Sequence, residues 1–193
     1  MCSSDLPLVE DMRINPANPY AVTKMAQESM AQVYSNGFGM NIVSTRSFNH
    51  IGPRQRDTFV VASFAKQVAQ AFVDGKTTLD MTTGNLNVVR DFLDVRDVVS
   101  AYNLLLEKGK SGEIYNVCSG EGIPLAEVIN ELSIISGIKI TTHTDQSLVR
   151  PNDIPKIIGS NQKLKNDTLW QRNYTLHQTL NDTFNYWKEQ LSK

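Results

Sequence analysis

A tyrosine and a lysine four residues apart are the pair in this sequence best suited to acid–base chemistry. Tyr20 and Lys24 belong to Asn18-Pro19-Tyr20-Ala21-Val22-Thr23-Lys24, at the start of a predicted helix. Residues four apart share one helix face, so the phenol and the ammonium can serve one site. A nearby cation lowers the pKa of a tyrosine toward the range useful to a general acid. Ordinary surface helices contain the same spacing, so the surrounding elements must decide between the two interpretations.

Those elements are predicted from the apolar pattern, in which strands and helices alternate. The predicted helices cover Tyr20 to a stop at Gly37, 59–73, the segment from Asp94 as N-cap to Gly109, 125–136, 160–169 and 176–191. The predicted strands cover 41–46, 77–81, the run beginning at Val88, 113–118 and 138–143. This alternation indicates an α/β fold with parallel pairing. No G-x-G-x-x-G turn occurs, so we expect only the C-terminal part of a Rossmann-type doubly wound parallel sheet.

Bulk composition excludes several classes of protein. A net charge of −1 and an apolar fraction of 40% argue against disorder and against bulk attraction to nucleic acid or membranes. Cys2 and Cys118 form neither a disulfide framework nor a metal-ligand spacing, so we expect a cytoplasmic protein. The hexapeptide Met1-Cys2-Ser3-Ser4-Asp5-Leu6 resembles translated adapter sequence, and we expect it to be a non-native leader.

A polar loop, Ser47–Gln55, follows the strand predicted over 41–46. In open α/β sheets, ligands bind outside the carboxyl ends of the strands, which makes this loop a candidate binding element. The alternative is a plain turn, because asparagine, glycine and proline are all turn formers.

Five segments in a fixed order carry a resemblance to a known family. They are Asn18–Lys24, Arg46–Pro53, Arg90–Asp97, Tyr115–Gly120 and Arg150–Asp153. This series, within residues 7–191, resembles the extended short-chain dehydrogenase/reductase family of nucleotide-sugar enzymes. Within it, the sequence is most similar to the GDP-4-dehydro-6-deoxy-D-mannose reductases, with the GDP-mannose 4,6-dehydratases as close relatives.

The resemblance implies a nicotinamide cofactor, NADP or NAD, that exchanges hydride with C4 of a hexose. Tyr20 would exchange the proton with the C4 oxygen. Lys24 would lower the pKa of Tyr20 and form a hydrogen bond with the nicotinamide ribose. Phe48 and His50 would lie beside the cofactor. The hydroxyl residue that usually helps to polarise the carbonyl is expected upstream of the reliable start of this chain.

The resemblance also implies a GDP-sugar substrate. Asn49 and Arg90 match residues that bind the diphosphate, and Arg150 and Asp153 match a pair that clamps the diphosphate and the ribose hydroxyls. Asn49 could instead be a turn former, and Arg90 could form a surface salt bridge with Asp91.

Val60 and Lys66 match the positions that contact the guanine in GDP-sugar enzymes of this family. Lys66 could equally be a solvated helix lysine.

The predicted domain organisation is a partial NAD(P)-binding domain, over residues 7–193, interleaved with a smaller sugar-nucleotide lobe. The lobe is predicted mainly from 50–90 and 119–193, and the resemblance implies a homodimer when the protein is full length. The predicted activity is reduction of GDP-4-dehydro-6-deoxy-D-mannose to GDP-D-rhamnose. The alternatives are a GDP-mannose 4,6-dehydratase, which is a lyase, and an inactive fragment that only binds nucleotide sugars.

Overall fold

The computed structural model describes residues 7–16, 18–149 and 153–193. Six α-helices are present in these ranges: α1 Pro19–Phe38, α2 Val60–Val73, α3 Val95–Lys108, α4 Leu125–Ser136, α5 Gln162–Thr168 and α6 Leu176–Leu191. The strands are β1 Ser44–Ser47, β2 Asn49–Ile51, β3 Thr78–Thr83, β4 Val89–Arg90, β5 Phe92–Asp94, β6 Ile114–Val117, β7 Ile123–Pro124, β8 Lys139–Thr144 and β9 Lys156–Ile157. A short 3₁₀ helix covers Gln146–Leu148.

Parallel pairing predominates among these strands. β1 pairs with β6, β2 with β5, and β3 with β8, in each case parallel. β4 lies between β9, which is parallel to it, and β7, which is antiparallel. The predicted α/β class is confirmed, because parallel strands require the long crossover connections that the helices provide.

One apolar core lies between α3 and the β1–β6 pair. Tyr115 and Val117 of β6 pack there with Leu105 of α3, and the indole of Trp170 fills the far side. The opposite face of the strand pair carries α1, because the Arg46 guanidinium binds both carboxylate oxygens of Glu28 at 2.8 Å. The helices therefore cover both faces of this strand pair.

A second apolar core lies where α2, α4 and α6 pack together against the β3–β8 pair. Its fully buried members include Val68 of α2, Leu132 of α4 and Leu180 of α6, with Met81 of β3 beneath them. The proposed division into two interleaved domains stays a prediction, although the two cores follow a similar partition of the chain.

The segment Arg90–Asp97 ties distant parts of the chain together through three buried carboxylates. Asp91 accepts hydrogen bonds from the amides of Ser119, Gly120 and Gly159. Asp97 accepts from the amides of Asn173 and Tyr174 at 3.0 and 3.1 Å.

Asp94, the middle carboxylate, caps α3 as the sequence predicts, accepting from the Arg96 amide at 2.8 Å. It also accepts from the Arg96 guanidinium and from the Thr179 hydroxyl of α6. Burial alone raises the pKa of Asp94, but the hydrogen bonds from Arg96 and Thr179 outweigh burial and hold that pKa below its ordinary value.

The predicted bounds agree with the observed ones where the pattern is long and amphipathic. α4 and α6 span the predicted residues, whereas α1 runs through Gly37 and ends at Gly39 in the left-handed conformation. The short strands β2, β7 and β9 were not predicted. Each of them forms by pairing with a strand far away in the sequence, as Lys156 of β9 pairs with Val89 of β4.

No helix in the described part of the chain is long and apolar enough to cross a membrane. Within the same residues, no group of three or more histidine, cysteine or carboxylate side chains is arranged to hold a metal ion.

We expect Thr179→Val to destabilise the fold in a pH-dependent manner. The substitution removes the hydroxyl that stabilises ionised Asp94, so the pKa of the folded state rises toward the unfolded value of about 3.9. A group with a depressed folded pKa contributes stability above its unfolded pKa and loses it as pH falls through the folded pKa. The loss in free energy of unfolding, about 1–2 kcal/mol at pH 7, should therefore shrink below about pH 4.

Urea unfolding at pH 7 and pH 3 measures this difference, with Thr183→Val as the matched control. Thr183 is also buried in α6, but its hydroxyl donates to the backbone carbonyl of Thr179. The control should lose a similar amount of stability at both pH values. An equal, pH-independent loss in both variants would contradict the role given to Asp94.

Candidate active site

A cleft of about 1070 Å³ opens at the carboxyl end of β1. Its walls come from β2, the loop after it, the first turns of α1 and α2, and the short strands β4 and β9. Six of the predicted site residues line it: Tyr20, Phe48, Asn49, His50, Val60 and Arg90. The loop Ser47–Gln55 is thus part of a concave site, as its position after a strand predicts.

Tyr20 lies at the edge of the cleft in the first turn of α1. Asn18 caps this helix by accepting from the Ala21 amide, and Pro19 occupies the first helical position, where its missing N–H is not needed. The Tyr20 side chain is 70% exposed. The Lys24 ammonium lies 5.7 Å from the centre of the Tyr20 ring, so the two groups share a helix face as predicted.

Asn49 is held in place by the buried segment behind it. The residue belongs to β2, and its amide nitrogen donates to the backbone carbonyl of Asp91 at 3.2 Å. This contact joins β2 to the residue between β4 and β5 and is not an Asx turn, so the alternative interpretation of Asn49 as a turn former is wrong. The amide oxygen has no donor among the described residues and is available to a ligand.

Phe48 forms an aromatic wall of the cleft, and Gly159 packs directly behind it. A Cβ atom on Gly159 would lie 2.6 Å from the ring of Phe48 and 2.7 Å from the sulfur of Cys118. Gly159 is therefore required for this close approach.

Arg90 reaches the cleft from β4. Its guanidinium donates to Asp153 at 2.5 Å and to the carbonyl of Ile154 at 2.8 Å. The predicted alternative, a surface pair of Arg90 with Asp91, is wrong, because Asp91 is fully buried and bound to backbone amides. The structure brings together two residues that the resemblance assigns to the diphosphate.

Three of the described site residues that were predicted do not line the cleft. Lys24 lies behind Tyr20, and Asp153 lies behind Arg90. Lys66 points elsewhere, with its ammonium 2.6 Å from Asp57 and over the ring of Trp187. Its proposed guanine contact stays a prediction, and Arg150 lies outside the described residues.

Three cationic residues of the cleft were missed in the sequence: Arg54, Arg56 and Lys156. None of them forms an ion pair with a described residue. With Arg90, they give the cleft four permanent cations, and no described carboxylate lines it. The local signal was the basic run Arg54-Gln55-Arg56, whereas nothing near Lys156 in the sequence points to a site.

A family described as GDP-mannose 4,6-dehydratase matches residues 3–183 of this chain. The chain belongs to this family. The matched range begins within the first six residues, which we expect from the sequence to be a non-native leader. That expectation stays a prediction.

Two relatives in this group act on GDP-sugars according to their names. The chain is 37% identical over 186 residues to a GDP-6-deoxy-D-mannose reductase of Pseudomonas aeruginosa, covering 96% of this chain and 61% of the relative. It is 31% identical over 159 residues to a GDP-6-deoxy-D-talose 4-dehydrogenase of Aggregatibacter actinomycetemcomitans, covering 82% and 51%. The chain thus spans between half and two thirds of the length of these relatives.

Solved structures of the family have the same architecture. RMD from Pseudomonas aeruginosa, solved with NADPH, superposes with a TM-score of 0.91 at 36% identity, over 98% of this chain and 62% of that one. A dTDP-glucose 4,6-dehydratase from Bacillus anthracis, solved with NAD, gives 0.78 at 25% identity, over 94% and 56%. These matches confirm the extended short-chain dehydrogenase/reductase resemblance and the Rossmann-type fold.

The residues of this chain fit one end of a nicotinamide cofactor. The rings of Tyr20 and Phe48 and the imidazole of His50 supply aromatic and polar surface in the cleft, and the Lys24 ammonium lies beside Tyr20. The glycine-rich turn that binds the cofactor pyrophosphate in such folds does not occur in this sequence.

We expect Gly159→Ala to disturb the cleft as well as the fold. The added methyl overlaps the Phe48 ring and the Cys118 sulfur, and overpacking of this kind costs about 1–3 kcal/mol. The melting temperature should fall by roughly 3–10 °C, and the phenylalanine wall should shift.

Gly37→Ala is the matched control, because a Cβ at Gly37 meets nothing within 4 Å. Alanine is also the better helix former there, so this variant should be neutral or slightly stabilised. Equal melting temperatures for the two variants would contradict the packing described for Gly159.

Proposed function

We propose that this chain binds a GDP-sugar and donates the proton in NAD(P)H-dependent reduction of a 4-keto group, converting GDP-4-dehydro-6-deoxy-D-mannose to GDP-D-rhamnose. The observation that carries the proposal is the charge of the cleft. Four cations and no described carboxylate line a pocket that also contains Tyr20. A nucleoside diphosphate is a ligand of matching charge, and guanidinium groups suit its oxygens.

Each residue of the cleft has a distinct part in this proposal. The cofactor, when bound, supplies a hydride to C4 of the sugar. Tyr20 gives the proton of its hydroxyl to the C4 oxygen, so the carbonyl becomes an alcohol. Lys24, one turn along α1, binds the nicotinamide ribose and keeps a positive charge beside the phenol.

The diphosphate contacts come from the other wall. Arg90 is already positioned by Asp153 and by the Ile154 carbonyl, so little side-chain entropy is lost when it binds an anion. One N–H of the Asn49 amide donates to the Asp91 carbonyl, so the second N–H can donate to a phosphate oxygen while the amide oxygen accepts from a hydroxyl of the sugar nucleotide. Asp153 and Arg150 would complete the clamp, and Val60 would contact the guanine.

A GDP-mannose 4,6-dehydratase is the second candidate, favoured by the description of the matching family. Both reactions use a tyrosine and a nicotinamide cofactor, so the cleft alone suits either. We further propose a cytoplasmic homodimer, supported by exposed apolar side chains on α1, including Val22, Met30 and Val33.

A turnover assay separates the candidates. Since the chain spans 61% of the Pseudomonas reductase, the assay uses a chimera in which the portion of that reductase outside the match is joined to this chain. The reductase proposal predicts oxidation of NADPH by GDP-4-dehydro-6-deoxy-D-mannose. Formation of a 4-keto sugar from GDP-mannose, without that oxidation, would instead establish the dehydratase. If the chimera binds GDP but performs neither reaction, the result would support only the binding of sugar nucleotides and not an enzymatic activity.

Tyr20→Phe should abolish reduction in this chimera while leaving ligand binding intact. The change removes only the hydroxyl that donates the proton, and loss of a general acid costs at least about 100-fold in turnover. The dissociation constant for GDP, measured by calorimetry, should stay within a factor of about two. Tyr186→Phe, on α6 and outside the cleft, is the control and should retain full activity. Undiminished turnover by Tyr20→Phe would exclude this tyrosine as the acid.

A further inference from the structure

The loop that follows β2 contains a turn whose third residue has an unusual backbone. In Gly52-Pro53-Arg54-Gln55, the amide of Gln55 donates to the carbonyl of Gly52 at 3.4 Å, closing a four-residue turn. Arg54 has a φ of +70°, in the left-handed region. A proline at the second position and a positive φ at the third are the features of a type II turn.

That third position is normally glycine, because a Cβ atom is strained there. Only one other described non-glycine residue has a positive φ, namely Leu169. Leu169 caps the C-terminus of α5, where the left-handed conformation ends a helix. Arg54 caps no helix, and its positive φ belongs instead to the third position of this type II turn.

The turn fixes the backbone of Arg54 beside the cleft. The side-chain amide of Gln55 donates to the carbonyl of His50 at 2.9 Å, tying the turn back to β2. Arg54 lines the cleft, is exposed, and forms no ion pair with a described residue. Arg90 shares its charge with Asp153. Arg54, like Arg56, is a guanidinium of the cleft whose charge no described carboxylate shares, and only Arg54 of the two has a positive φ.

We propose that Arg54 is a specificity-determining residue that binds the phosphate groups of the nucleotide, and that the left-handed turn serves to aim its guanidinium. The inference rests on the proposed function, since it names a further contact to the same ligand. Glycine would serve this turn with less strain, so an arginine at this position is an indicator of function. The guanidinium of Arg54, added to that of Arg90, would favour a diphosphate over a single phosphate, because two phosphates carry more charge than Arg90 alone can match.

The test compares Arg54→Gly with Arg54→Ala in the 193-residue chain. Both variants remove the guanidinium, but only alanine keeps a Cβ atom in the left-handed conformation. Isothermal calorimetry with GDP and with guanosine measures binding, and thermal unfolding without ligand measures stability. Arg13→Ala removes the same charge from an exposed arginine that does not line the cleft.

We expect both Arg54 variants to lose about 10-fold or more in affinity for GDP, with little change for guanosine. The Gly variant should melt roughly 2–4 °C above the Ala variant. Arg13→Ala should bind GDP as the unaltered chain does.

Three results would overturn the inference. If both Arg54 variants bind GDP as tightly as the unaltered chain, Arg54 is not a phosphate ligand, while the proposed function stands. If only one variant loses affinity, the conformation of the loop matters and not the guanidinium. If the unaltered chain binds no GDP, the proposed substrate class fails, and the inference fails with it.

Discussion

Three buried carboxylates in the segment Arg90–Asp97 hold the C-terminal part of the chain against its sheets. Asp91 binds the turn after β6 and Gly159, two residues beyond β9. Asp94 binds α6, and Asp97 binds the residues that lead into α6. Because a carboxylate removed from water is costly unless its oxygens are satisfied, each of these contacts is strongly specified.

The cleft depends on this arrangement because two consecutive side chains of the segment face in opposite directions. Arg90 points into the cleft, and the next side chain, Asp91, points into the protein. Since backbone amides and the Ser119 hydroxyl satisfy Asp91, it does not neutralise the neighbouring Arg90. The backbone of Asp91 also holds the Asn49 amide. Asp91 therefore holds Asn49, while Asp153 and the Ile154 carbonyl hold Arg90, and the proposed binding of a diphosphate relies on both side chains.

Sequence reasoning succeeded where the signal is local and failed where it depends on distant partners. The bounds of α4 and α6 follow from their apolar period, and Asp94 as N-cap follows from its place before an apolar run. The strands β7 and β9 are only two residues long and have no alternation of their own. Their positions are set by β4, far away in the sequence, so no window of residues could reveal them.

The residues of the candidate site also separate into those that the sequence predicted and those that it did not. Tyr20 and Lys24 were predicted from helical spacing, and Asn49 and Arg90 from a resemblance carried by ordered motifs. Arg54 was not singled out within the predicted loop, and the positive φ that distinguishes it is a backbone angle, which residue types do not disclose. The burial of Asp91 was also not foreseen, since an Arg-Asp pair in sequence suggests a surface salt bridge and the donors to Asp91 come from two distant segments.

The most direct measurement of the central claim is hydrogen–deuterium exchange on the 193-residue chain with and without GDP. If the cations of the cleft bind the diphosphate, GDP should slow amide exchange in 48–56 and 89–97, because these segments form and support the cleft. The amides of the β3–β8 pair, on the far side of the second core, should exchange at unchanged rates. Protection confined to the β3–β8 pair, or no protection at all at saturating GDP, would contradict the account.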